Sequence, residues 1–110
     1  RSLCTLYDET QPWFQVELTC GRAIVHGYRL QMLTNFPLSC WRLAGSNDKE
    51  NWDTIHDAEV SANKTAPILL FNCSSQTPYR YFRFINTENA NDDLKLRLKH
   101  FDIFGVYLSD

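Results

Sequence analysis

The residues of this chain that could do chemistry are three histidines, four cysteines and a scatter of aromatic, amide and carboxylate side chains. His26, His56 and His100 fall in no nucleophile, zinc or phosphate motif. They read as surface or strand residues, and the chain reads as a non-enzyme. Cys4, Cys20, Cys40 and Cys73 follow no CxxC or Cys/His metal spacing. Small secreted domains are usually richer in cysteine, so free and mostly buried thiols are expected. Cys40 precedes Trp41 in an apolar run, where burial leaves a thiol inert. Two sequons, Asn63-Lys64-Thr65 and Asn72-Cys73-Ser74, pull toward secretion. What is left is binding chemistry. Aromatics such as Tyr7, Trp13 and Phe36 beside amides such as Asn35, Asn86, Asn89 and Asn91 suit stacking on a sugar or gripping a peptide.

Composition narrows the partner. A chain of 110 residues fits one domain and can bury a core without help from a metal or a disulfide. Aromatics at 14% suit strands better than a helical bundle. The formal charge of -2, with no basic stripe, excludes nucleic acid as a partner. No apolar run approaches the roughly 18 residues that a membrane helix needs. The chain opens Arg1-Ser2-Leu3 with no signal-peptide pattern. It reads as a fragment, and secretion stays open.

The elements that must position these residues are strands. Trp13 to Leu18 alternates, with Phe14, Val16 and Leu18 on one face and Gln15 and Glu17 on the other. After a turn at Cys20-Gly21-Arg22, Ile24 to Met32 places Tyr28, Leu30 and Met32 together. Pro37 breaks that run. Cys40 to Gly45 leads into the polar turn Ser46 to Asn51, and Trp52 to Val60 resumes. Ile68 to Phe71 is continuously apolar, as in a strand buried on both faces. Tyr79 to Ile85 alternates, with Phe82 and Phe84 inward, before a polar loop from Asn86 to Asp93. Leu94, Leu96 and Leu98, then Phe101 and Ile103, switch parity at Lys99-His100. A β-bulge produces that switch, so strand is preferred there over helix. Trp41, Trp52, Phe82, Phe84 and Phe101 are read as core, and Arg80 and Arg83 as lying over a sheet face or pairing with acids such as Glu17. Short strands with turns between them predict an all-β antiparallel sandwich.

Four segments carry a family resemblance. Trp13-Phe14-Gln15-Val16-Glu17-Leu18 resembles a strand of discoidin domains, also called coagulation factor V/VIII type C domains. Tyr28-Arg29-Leu30, Trp41 to Asp48 and Trp52 are similar to their central signature. Tyr79 to Phe84 and Phe101 to Gly105 are similar to their last two strands. The resemblance implies one discoidin-like domain over 1–110, with a galactose-binding-like jelly roll and a binding function rather than catalysis. Two departures matter. Family members run longer at the N-terminus, so the domain is read as truncated there. The absent leading loop holds calcium in carbohydrate-binding members, which leaves calcium open and no other cofactor expected. Extracellular members link their ends by a disulfide, whereas no cysteine lies beyond Cys73 to receive Cys4. That implies the intracellular branch over the secreted one.

If each strand crosses the sandwich once, the segment before Trp13 shares an end with 33–38, 61–67 and 86–93. The resemblance implies ligand binding at that end, and loops on a rigid scaffold are the general place for function. The expected ligand-binding set is Tyr7, Asp8, Glu9, Trp13, Asn35, Phe36, Lys64, Asn86, Asn89, Asn91 and Asp92. The plainer alternative has Tyr7 and Trp13 plugging the sandwich and Phe36 as an isolated surface residue. Asp8, Glu9, Glu88, Asp92 and Asp93 stand against Lys64 alone, which disfavours an anionic membrane. The acids suit calcium or a basic peptide, although no spacing resembles a calcium loop. The expected partner is a protein or peptide, with a glycan as the alternative.

Overall fold

A computed structural model describes residues 13–32, 38–59, 68–89 and 98–110. All the regular structure in them is strand: β1 (Trp13–Glu17), β2 (Gly21–Met32), β3 (Leu38–Ser46), β4 (Asp53–Glu59), β5 (Ile68–Asn72), β6 (Tyr81–Asn89) and β7 (Leu98–Ser109). They form a four-stranded sheet in the order β1-β6-β3-β4 and a three-stranded sheet in the order β5-β2-β7. Every pairing is antiparallel. The all-β sandwich expected from the alternating runs is the fold.

Aromatic residues carry the interior. Phe14, Phe84 and Trp41 come from the first sheet, and Tyr28, Phe71 and Phe101 from the second. Phe14 stacks on Phe84 at 5.4 Å, Phe84 meets Phe101 edge-on at 5.2 Å, and Tyr28 stacks on Phe71 at 5.1 Å. Such pairs add about 0.5–1.5 kcal/mol each beyond the area they bury. Leu30, Leu43, Val25 and Phe82 fill the gaps between the rings. One polar relay crosses this interior. The Trp41 Nε1–H donates to the Tyr28 hydroxyl at 2.8 Å, and that hydroxyl lies 2.6 Å from His56 Nδ1. The Trp41 bond occupies the phenol oxygen as acceptor. The Tyr28–His56 contact completes the relay, its donor set by the imidazole tautomer.

Bulges explain the parity changes. Lys99 is the extra residue between His100, opposite Gln31, and Leu98, opposite Met32. The bulge expected at Lys99-His100 is therefore present. A second sits at His26, between Val25 and Gly27. It lets Val25 and Tyr28 both point inward although an even number of residues separates them. Opposite it stands Gly105, where a Cβ would run into the Ile24 carbonyl oxygen. The close approach of the two backbones demands glycine there.

Three expectations are corrected. Ile68 to Phe71 is not buried on both faces. β5 is an edge strand with no layer over its outer side among the described residues, and Leu70 is 70% exposed. Trp52 is not core, because it lies on the outer face of the four-stranded sheet beside Arg83. Of the thiols, Cys40 is fully buried but disulfide-bonded, with its partner outside the described residues. Cys20 and Cys73 are free, and Cys20 is exposed.

Candidate functional site

The register places the strand ends. Trp13 lies opposite Ile85, Leu38 opposite Asn89, Met32 opposite Leu98 and Gln31 opposite Ile68. These residues flank 33–37, 60–67 and 90–97, so those connections leave from the end where β1 begins. The opposite end is closed by 18–20, 47–52 and 73–80. There Leu18 N–H donates to the Arg80 carbonyl and Asp110 N–H to the Cys20 carbonyl.

Of the residues expected to bind ligand, Trp13, Asn86 and Asn89 are described. Tyr7, Asp8, Glu9, Asn35, Phe36, Lys64, Asn91 and Asp92 lie outside the described residues. Trp13 opens β1 and is 38% exposed. Asn86 does not sit in a loop: β6 runs on through Asn89, paired with β3, and Asn86 is 1% exposed. A ligand at the surface cannot reach its amide. The polar loop read from Asn86 onward is strand through Asn89 because β3 continues the ladder past the apolar pattern of β6, and 90–93 lie outside the described residues.

Around Trp13 the structure assembles a group outside the expected ligand-binding set. On the outer face of the four-stranded sheet, Gln15 of β1 pairs with Arg83 of β6, which pairs with Ala44 of β3. Arg83 Cζ lies over the Trp13 ring at 4.0 Å and over the Trp52 ring at 4.3 Å. Arg83 Nε donates to Gln15 Oε1 at 3.1 Å. The guanidinium is thus held between two indole faces, each contact contributing about 0.5–2 kcal/mol according to its desolvation.

The turn before β4 aims Trp52. Ser46 Oγ donates to Asp48 Oδ1, and the same carboxylate accepts from the Glu50 and Asn51 backbone N–H groups and from Asn51 Nδ2. These donors, Asn51 foremost, hold the Asp48 carboxyl well below the usual carboxylate range. Lys49 takes the left-handed conformation, φ 67°, and the Trp52 indole N–H donates to its carbonyl at 3.1 Å. Asn47 ties the turn to the rest by donating to the Pro78 carbonyl and accepting from Arg80 N–H.

The sequence carried a usable signal for this group. Trp13 and Gln15 share the outward parity of β1, and Arg83 shares that of β6. The pairing of β1 with β6 and the folding back of Trp52 by the 47–52 turn are tertiary relationships with no local pattern. Among the described residues no cluster of His, Cys, Asp and Glu could hold a metal ion. An apolar cleft of about 300 Å³ opens between β1 and β7, lined by Val16, Leu18, Phe82, Phe101 and Ile103 among others. Asp102 at its rim is ion-paired with Arg29 and Tyr107 is the other polar side chain lining it, so the described residues offer no set of convergent polar groups for a sugar there.

No family model and no curated protein matches the chain. Solved structures do. The C-terminal domain of a chitobiase from Bacteroides fragilis is 20% identical with a TM-score of 0.65, over 81% of this chain and 60% of that one. A family 32 carbohydrate-binding module of Clostridium perfringens, in complex with GalNAc-β-1,3-galactose, is 14% identical with a TM-score of 0.70, over 89% and 68%. A chitosan-binding module from a Paenibacillus chitosanase/glucanase is 20% identical with a TM-score of 0.66, over 84% and 67%. At these identities the likeness shows a shared fold. The chain spans about 60% of the length of the first of these structures.

Proposed function

We propose that this domain is a non-catalytic carbohydrate-binding module. The carrying observation is the exposed Trp13 indole, set beside Gln15 and Arg83 on the outer face of the four-stranded sheet. An indole face packs on the C–H face of a pyranose, while an amide and a guanidinium serve its hydroxyls. The shared fold with carbohydrate-binding modules supports a glycan over the protein or peptide partner expected first. For the compartment we propose the reverse of the intracellular expectation. Cys40 is disulfide-bonded, and such bonds persist in oxidising surroundings.

A fluorescently labelled domain applied to a glycan array tests the function. Reproducible retention on a defined glycan class is expected, reduced at least about tenfold by Trp13→Ala. An array without a single reproducible signal would overturn it.

A further inference from the structure

Arg83 differs in its company from three other described arginines. Arg29, Arg42 and Arg80 each hold their own aspartate: Asp102, Asp57 and Asp110. Arg83 has no carboxylate among the described residues. Glu17, one outward position along β1 from Gln15, is engaged by Lys49 at 3.6 Å. The Arg83 Nε is anchored on Gln15, and indoles cover the group at 4.0 and 4.3 Å. Its terminal nitrogens meet no acceptor among the described residues. The result is a half-buried cation, fixed in place, whose remaining donors form a planar fork. Carboxylates match that fork in charge and in bidentate geometry, whereas a neutral diol matches it only in part. Fixing the fork beforehand removes the ordering cost that a free arginine meets on binding.

We propose that Arg83, held between Trp13 and Trp52, is the subsite for the carboxylate of an acidic saccharide, a uronate or sialate. This rests on the carbohydrate reading and adds the charge of the ligand to it. The guanidinium takes the carboxylate, and the exposed part of the Trp13 indole takes the sugar. Arginine is required because lysine offers a point charge without the fork.

The test compares each acidic glycan with its own methyl ester, which removes the charge and leaves the ring intact. Oligogalacturonate, a hyaluronan tetrasaccharide and sialyllactose are titrated into the wild-type domain by calorimetry, with tryptophan fluorescence as a second readout. At least one acid is expected to bind about tenfold or more tighter than its ester. Arg83→Gln should bring that ratio to about one, and Arg83→Lys should leave it in between, each variant first shown folded by its thermal transition. Acid and ester bound alike by the wild type overturn the subsite while leaving the carbohydrate reading standing. The same holds for binding confined to neutral glycans, or for an acid preference that survives Arg83→Gln. Binding to none of these and to no glycan on the array overturns both.

Discussion

Trp41 of the four-stranded sheet donates its indole N–H to the hydroxyl of Tyr28 in the three-stranded sheet at 2.8 Å, a hydrogen bond that crosses the sandwich. Burial, against the opposing effect of that bond, pushes the Tyr28 phenol far above its ordinary range, so it stays neutral at any working pH. Tyr28→Phe keeps the ring stack on Phe71 but removes the oxygen. The Trp41 N–H and His56 Nδ1 then both lose this partner. Leaving a buried polar group unsatisfied costs about 1–3 kcal/mol. Urea denaturation should show a loss in that range with an unchanged slope. A loss under about 0.5 kcal/mol would mean the relay adds nothing to stability.

The same relay makes stability depend on pH. Burial holds the His56 imidazole below its ordinary pKa, with the Asp57 carboxylate opposing. Asp57 is itself held by Arg42 at 2.7 Å, while Tyr28 and Phe71 face the ring from the other sheet. In the unfolded chain histidine titrates near about 6.5. The contribution of a neutral His56 is therefore complete above that pH. It is lost as pH falls from there through the lower folded value, because the unfolded state takes up the proton first. Denaturation midpoints at pH 7 and pH 5 should fall further apart for the wild type than for His56→Gln. Equal differences would show that His56 is not the group responsible.

How far the residues announced the fold can be judged from particular strands. The alternation of Phe14, Val16 and Leu18, the inward Phe82 and Phe84 and the parity switch at Lys99 were all legible, since each is a local pattern of period two. The exposure of Leu70 was not. Four apolar residues in a row say that both faces of a strand are apolar, and only the assembled layers decide whether the second is covered. Asn86 is of a type that favours turns, yet the paired β3 carries β6 beyond it. The Trp13, Arg83 and Trp52 group joins β1, β6 and the turn before β4, and nothing local in the sequence links those three. Aromatic residues default to the core, and Trp52 departs from that default because the turn before β4 folds it onto Arg83.

The edge position of β5 gives a paired prediction. Leu69 packs against the core, and Leu70, its neighbour, is 70% exposed. Leu69→Ala should cost about 2 kcal/mol or more through lost burial and a residual cavity. Leu70→Ser should stay within about 0.5 kcal/mol, as exposed substitutions do. Thermal melts of the two variants against the wild type decide it. A large loss at Leu70 would mean that another surface covers the outer face of the three-stranded sheet in solution.

The cysteines can be counted by their chemistry. Cys40 is disulfide-bonded, whereas Cys20 and Cys73 are free. Unreduced protein, unfolded in guanidinium and treated with a maleimide, should therefore gain two labels by mass, and four after reduction. The native protein should label in two phases. Cys20 is exposed and reacts first. Cys73 is half-buried, and burial raises its thiol pKa, so less thiolate is present and reaction is slower. Cys73→Ser should remove the slow phase and leave the fast one. Four labels on unreduced protein would mean that Cys40 is a thiol in solution. The oxidising-compartment proposal would then lose its support, because a reducing cell interior keeps such pairs open.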